Sequence, residues 1–405
     1  MKDVKITEKE IAAKIPEYVR AVMERIHEAG EESYVVGGSL RDIILGIAPH
    51  DFDLATSARP DVTAEIFKDM RVIATGIKHG TVTVISEGEP IEITTFRVDG
   101  SYTDSRHPDK VSFTSRIEED LSRRDFTVNA MAFSPRKGLV DPFGGRQDIL
   151  RRTIRAVGDP ETRFGEDALR IMRAFRFSAQ LDFSIDGETL LGAEVCRRGL
   201  DNIARERIAA ELTRLLTSND PAPSLCLMTD SGILQQILGG YTADRKLLRL
   251  LKEMPQSDIA RLGLFLCSTD ADGAREILRS LKCSNKQTVG ALAVRRGAYE
   301  SIESPADARR FIAGMGIYAE EAVRASVLLG NSPEDAVAWV RGNNAPCSLS
   351  ELALSGRDLM SMGIGGKDIG RILEELLERV IDDPRLNDRD TLLELAKNIK
   401  EEKTK

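Results

Sequence analysis

The stretch "YVVGGSLRDIILGIAPHDFDLATS", Tyr34 to Ser57, joins a β-branched apolar run to Gly37-Gly38, sets Arg41 in an apolar helical pattern, and places Asp51 and Asp53 on either side of Phe52. Alternation along an extended segment points Asp51 and Asp53 to one face and Phe52 to the other. Like charges that close repel, and a site that keeps them usually holds divalent cations. Hard oxygen donors with few histidines suit Mg2+ better than Zn2+, and such a pair supports two-metal phosphoryl or nucleotidyl transfer. In "GGSLRD" a helix is predicted to start right after Gly37-Gly38, where bare backbone can approach a triphosphate and Arg41 can clamp the same oxygens. Taken alone, the same letters also describe a tight Gly-Gly turn and a DxD in a surface loop.

The rest of the chain narrows the classes. With 405 residues and ordinary apolar content it can bury several cores and divide into roughly two to four domains. The amino terminus "MKDVKITEKE" is charged from its second residue, and no apolar run reaches the ~18 residues that cross a bilayer, so neither signal peptide nor membrane span is expected. Cys196, Cys226, Cys267, Cys283 and Cys347 form no CxxC pair, which argues against a zinc ribbon or disulfide framework and for a reducing cytoplasm. Net charge is −8, yet Arg123 to Arg176 holds twelve Lys and Arg against seven Asp and Glu, a local +5 that leaves −13 for the remainder. A partner-facing basic surface is expected there.

Strand and helix alternate from about Val35 to Ala132, with "SYVVGG", "DFDLAT", "HGTVTVIS" and "PIEITTFRV" as strands. Beyond Phe143 the pattern is helical, as in "GEDALRIMRAFRFSAQL", "ARERIAAELTRLLTS", "DIARLGLFLC" and "KDIGRILEELLERVI". Breaks fall near Ser218 to Ser224 and Arg341 to Ser348.

"GG-x-x-R-D" followed about ten residues later by "D-x-D" resembles the head of the DNA polymerase beta nucleotidyltransferase superfamily. "RRDFTVNAMAF", "DPFGGRQDI" and "EDALRIMRAFRF" resemble the class II bacterial tRNA nucleotidyltransferases that add CCA, and their relatives the bacterial poly(A) polymerases. These motifs cover about Tyr34 to Phe177, and "SGRDLMSMGIGGKDIGRILEELLERV" also looks family-like. The resemblance implies an α+β fold, with a mixed-sheet nucleotidyltransferase head (1–147) followed by an all-α neck (148–218), body (219–345) and tail (346–405). It implies Mg2+ held by Asp51 and Asp53, a catalytic set of Asp51, Asp53 and Asp125, and nucleotide contacts from Gly37, Gly38, Arg41 and Arg124. Glu92 in "IEITTFR" stands where superfamily members often place a third carboxylate, and equally where an exposed strand residue would. The segment with Asp99, Gly100, Tyr102, Asp104 and Arg106 resembles the full-length loop linked in the family with switching from C to A addition.

Asp167, Arg170, Arg173 and Arg176 recur every third residue in "GEDALRIMRAFRF", which predicts a charged stripe on one helix face, and the resemblance implies that this stripe, with Asp167 and Arg170 reading the base, belongs to the nucleotide-binding set. A carboxylate accepts and a guanidinium donates, so Asp167 beside Arg170 matches the amino donor and ring-nitrogen acceptor shared by cytosine and adenine. Guanine and uracil present the reverse. Read in isolation, this stretch is also an ordinary salt-bridged helix face. Lys78 and His79 in "GIKHGTVTV" read as a Gly-bounded hairpin and stay outside the site, and all four histidines precede residue 110, so the helical half cannot hold a His-Asp phosphohydrolase centre.

"GIGGKDIGRIL" offers backbone N–H groups to a phosphate or is a plain helix cap. The expected activity is template-independent addition of CCA to tRNA from CTP and ATP with release of pyrophosphate, by a monomer or homodimer. A CC-only or A-only enzyme, a poly(A) polymerase and a non-catalytic RNA-binding homologue are the alternatives.

Overall fold

The computed structural model describes residues 6–73, 76–77, 80–99 and 111–402. Lys78, His79, Gly100, Tyr102, Asp104 and Arg106 lie outside them. The chain forms two compact units, Met1–Leu215 with Pro223–Gly240, and Leu216–Ala222 with Tyr241–Lys405.

In the first unit, the described residues form one seven-stranded mixed sheet. Its strands are β1 (Ser33–Val36), β2 (Asp53–Thr56), β3 (Arg71–Ile73), β4 (Thr81–Ser86), β5 (Glu89–Thr95), β8 (Ala132–Ser134) and β9 (Gly138–Val140), while β6 (Arg97–Asp99) and β7 (Val111–Phe113) pair separately. The order is β3-β4-β5-β2-β1-β8-β9, and β2 runs parallel to β5 while the other neighbours are antiparallel. β1 is central and wholly buried, as its run of Tyr and Val requires. Tyr34, Val36, Ala55, Phe96, Ile117 and Leu121 share one core cluster beneath it.

"RRDFTVNAMAF" and "DPFGGRQDI", separate in sequence, are fused in space. A Cβ on Gly145 would lie 2.1 Å from the Thr127 carbonyl oxygen, so only glycine lets the helix Gly145–Arg151 come this close. Buried Asp148 then accepts from Thr127 Oγ1 at 2.6 Å and from Arg155 Nε at 2.9 Å. The following region is helical but for one short parallel pair, Thr153–Ile154 with Ser184–Ile185. It adds the helices Pro160–Glu166 and Leu169–Leu181, and the helix Arg205–Leu216 as far as Leu215, to this unit.

The second unit is helical. Its crossing segment after Leu216 is held by Arg261, 1 % exposed, which donates to the carbonyls of Leu216 and Ser218. In helix Lys367–Asp382, Ile372, Leu376 and Val380 recur every fourth residue and pack on Leu392, Ala396 and Ile399. Among the described residues no helix is long and apolar enough to cross a membrane. All five cysteines are free thiols.

Candidate active site

Strand register builds one half of the site. Val36 at the end of β1 pairs with Asp53 at the start of β2, and Asp53 pairs with Glu92 of β5. Chain leaving β1 turns at once into helix Gly37–Leu45, which begins at Gly37 rather than after Gly38. Gly37 has a φ of +69°, a conformation that selects glycine, and a Cβ there would sit 3.3 Å from Arg124 Nη1, close enough to crowd that guanidinium.

Only Asp53 belongs to the strand; Asp51 lies in the bend before it. The cause is that β1 has already become helix, leaving Asp51 no ladder partner. The expected alternation nevertheless holds, with Asp51 and Asp53 exposed and Phe52 buried between them. Crowding by protein, then repulsion from Asp51 and Glu92, pushes the Asp53 carboxyl up to about 6 against a pull from Arg124. Water reaches this side chain and softens the crowding, whereas the repulsion is what a bound cation relieves. Among the described residues no group of three or more His, Cys, Asp or Glu is gathered as a metal cage. Two exposed carboxylates still fit Mg2+, which usually keeps several positions for water and phosphate oxygens.

The raised carboxyl has a consequence for the metal-free protein. Its favourable contribution to stability is complete below the ordinary value of 3.8 and is lost as pH rises through about 6. Asp53→Asn is therefore expected to remove that decline. The check is the difference in thermal midpoint between wild type and variant from pH 4 to 7 without divalent ions; a difference that stays constant across this range contradicts the assignment.

The second half gathers around Asp125. Its Oδ2 accepts from Arg173 Nε at 2.7 Å, and its Oδ1 accepts from the Phe126 N–H at 2.8 Å and from Asn129 Nδ2 at 3.4 Å. Burial pushes this carboxyl up, but Arg173 and the Phe126 N–H outweigh it and leave it below the usual range. Asp125 in turn holds the Arg173 guanidinium above its ordinary value. The Asn129 amide relays the order onward: its Oδ1 accepts from Arg41 Nη1 at 2.9 Å, while Asp42 Oδ1 accepts from Arg41 Nε and Nη2. Arg124 pairs with buried Asp120 at 3.1 Å.

The stripe predicted from Asp167 to Arg176 is broken. Asp167 is extended, at φ −145° and ψ 102°, and ends helix Pro160–Glu166 instead of lying on helix Leu169–Leu181. Its Oδ1 accepts from the Leu169 N–H at 3.0 Å, which starts the second helix, and its Oδ2 accepts from Arg207 Nη2 at 3.2 Å. Arg170 donates to Glu166 Oε2 at 2.5 Å and to the carbonyls of Arg163 and Arg123. Arg176 is not on the face that Asp167, Arg170 and Arg173 present to a shared cavity. Its guanidinium donates to Glu211 and Gln180, and burial lowers its pKa.

A cavity of about 450 Å³ brings Gly37, Gly38, Arg41 and Asp53 together with Arg124, Asp125, Asp167, Arg170 and Arg173. Arg176 and Asp51 are not on its wall. Sequence reasoning did not single out Asn129, Phe177 or Arg207, which are. Their signals are faint: an amide inside the apolar run "TVNAMAF", the last letter of "RAFRF", and Arg207 four residues before Glu211 on a helix scanned only for its apolar face.

The Poly A polymerase head domain family matches residues 33–155, and the family described as the probable RNA and SrmB-binding site of polymerase A matches 182–244. The CCA-adding enzyme of Levilactobacillus brevis is 38% identical over 388 residues, 93% of this chain and 96% of that protein. That of Limosilactobacillus fermentum is 37% identical over 94% of this chain and 96% of its own length. In structure, the Bacillus stearothermophilus CCA-adding enzyme in complex with CTP superposes with a TM-score of 0.80 at 28% identity, covering 96% of this chain and all (100%) of that one. With a nucleotidyltransferase head, a helical remainder and kinship along nearly its whole length, this chain belongs to the CCA-adding enzyme family of nucleotidyltransferases.

Proposed function

We propose that this protein builds or restores the 3′ CCA end of tRNA in the cytoplasm, from CTP and ATP and without a nucleic-acid template. The observation that carries the proposal is the cavity that joins a carboxylate and glycine-arginine end to an Asp167 and Arg170 end, a span suited to a triphosphate and its base. The head (1–147) performs transfer, the neck (148–218) reads the base, and the body (219–345) and tail (346–405) hold tRNA. The tRNA 3′ hydroxyl attacks the α-phosphate in line, and pyrophosphate departs past Gly38 and Arg41. Mg2+, when bound by Asp51 and Asp53, supplies charge neutralisation at the triphosphate and activation of the attacking oxygen. Asp125, fully engaged by Arg173, the Phe126 N–H and Asn129, acts by positioning arginines. Arg124 and Gly37 shape the phosphate end, while Arg173 and, more remotely, Arg176 support the base end.

Incubation with tRNAs ending in N, NC and NCC, each with labelled CTP or ATP, tests the proposal. Stepwise C, C, A addition is expected. Stopping after CC, adding only A, or growing long A tails assigns the narrower or polymerase activity instead, and no incorporation leaves RNA binding alone.

For the tRNA grip, helix Lys367–Asp382 has Gly366 before it at φ +62° and no side chain capping its first turn, which supports a backbone contact to phosphate. Binding of tRNA is expected to weaken steeply as salt rises despite the acidic net charge, because phosphate contacts release counterions. A flat salt titration of the dissociation constant rules this out.

A further inference from the structure

Phe177, at the end of the last head-to-neck motif and 7 % exposed, lines the cavity, and three guanidinium groups converge on its ring. The guanidinium carbons of Arg41 and Arg173 each lie 5.3 Å from the ring centroid, and that of Arg176 lies 3.9 Å from it. The Phe126 ring meets Phe177 edge-on, 5.9 Å away at 80°, and fixes its orientation. Each of the three arginines has its own acid: Asp42 for Arg41, Asp125 for Arg173 and Glu211 for Arg176. Asp125 holds Arg173 directly but reaches Arg41, on the helix Gly37–Leu45, only through the neutral Asn129 amide, so no acid pairs with both Arg41 and Arg173, on the helix Leu169–Leu181, and the two cations repel. A ring carries negative quadrupole on both faces and attracts all of them to one place.

We propose that Phe177 is a positioning residue that seats Arg41 and Arg173 on one aromatic ring, setting the spacing between the phosphate end and the base end of the nucleotide site. The inference rests on the nucleotidyl-transfer reading above. An aliphatic side chain of similar volume fills the space but has no negative face, so the guanidinium groups separate and the concentration of positive charge facing the triphosphate falls. Nucleotides with more phosphate charge lose more.

The test measures equilibrium binding of CTP, with CMP by competition, to full-length wild type, Phe177→Leu, Phe177→Met and Phe177→Tyr in Mg2+ and without tRNA. Leu and Met are expected to weaken CTP at least about tenfold and CMP by no more than about twofold, while Tyr, which keeps the π face, holds the CTP-to-CMP affinity ratio near wild type. A ring that merely fills space changes both ligands equally. An unchanged CTP-to-CMP ratio in whichever of the Leu and Met variants retains the wild-type far-ultraviolet circular dichroism overturns the proposal, as does a Tyr variant as deficient as Leu. Wild-type protein that binds no CTP overturns the nucleotidyl-transfer reading instead.

Discussion

Asp53→Ala is expected to lower the rate of nucleotide addition by at least about a thousandfold, equivalent to ~4 kcal/mol of lost transition-state stabilisation, while changing tRNA affinity by less than about twofold. The size follows from what the carboxylate is for. Asp53 stands where β1, β2 and β5 bring Val36, Asp53 and Glu92 into register, and its ionised form is disfavoured by crowding and by Asp51 and Glu92. A protein that keeps two such carboxylates without a cation retains a repulsion that helps neither folding nor RNA binding. Asp51→Ala is expected to act in the same direction, since Asp51 is exposed beside it at the mouth of the same strand. Removing divalent ions from wild type with a chelator is expected to reproduce the loss, with recovery on adding Mg2+. The measurements are single-turnover incorporation of labelled CMP and filter binding of tRNA. If both variants lose tRNA affinity in proportion to rate, the carboxylates hold the RNA or the fold and the metal assignment is wrong.

How far the site was legible in the sequence depends on how local each contact is. Asp51, Asp53, Gly37 and Gly38 lie within one strand–helix–strand unit, and their spacing alone brings glycines and carboxylates together. The strand limits were less legible because Asp51 loses its ladder partner only when β1 ends at Val36. The helix break at Asp167 was invisible for a related reason. The stretch "GEDALRIMRAF" carries no proline to mark it, and the extended Asp167 is tied instead to the Leu169 N–H and to Arg207, forty residues onward. Arg176 fits the i, i+3 series on paper, yet its tertiary neighbour is Glu211, which turns it from the cavity. Asn129 shows the opposite case. One buried amide between Asp125 and Arg41 reads as an irregular polar residue in an apolar run until the fold brings the helix Gly37–Leu45, with Arg41, against the turn that joins Asp125 to Asn129.

Asp167→Ala is expected to relax discrimination against UTP, lowering the ratio of kcat/KM for CTP to that for UTP at least about tenfold, or ~1.4 kcal/mol. Cytosine offers an amino group where uracil offers a carbonyl, and a carboxylate aimed at that position accepts from the first and repels the second. The Asp167 carboxylate lines the cavity with Oδ1 fixed by the Leu169 N–H and Oδ2 near Arg207, so it cannot rotate away from a mismatched base without breaking one of these bonds. Its removal acts twice: the acceptor that penalises a carbonyl disappears, and Arg207, 28 % exposed in its side chain and released from its 3.2 Å ion pair, becomes a donor available to the uracil oxygen. Metal affinity and tRNA affinity are expected to stay near wild type, because the proposed function assigns the first to Asp51 and Asp53 and the second to the helical body and tail. Arg207→Ala separates the two contributions, since it keeps the carboxylate and is expected to preserve most of the discrimination. The substrate is a tRNA that lacks its second C, offered CTP or UTP under matched conditions. If Asp167→Ala slows both nucleotides equally and keeps their ratio, Asp167 is a helix-starting residue paired with Arg207, and the base is read elsewhere in the cavity.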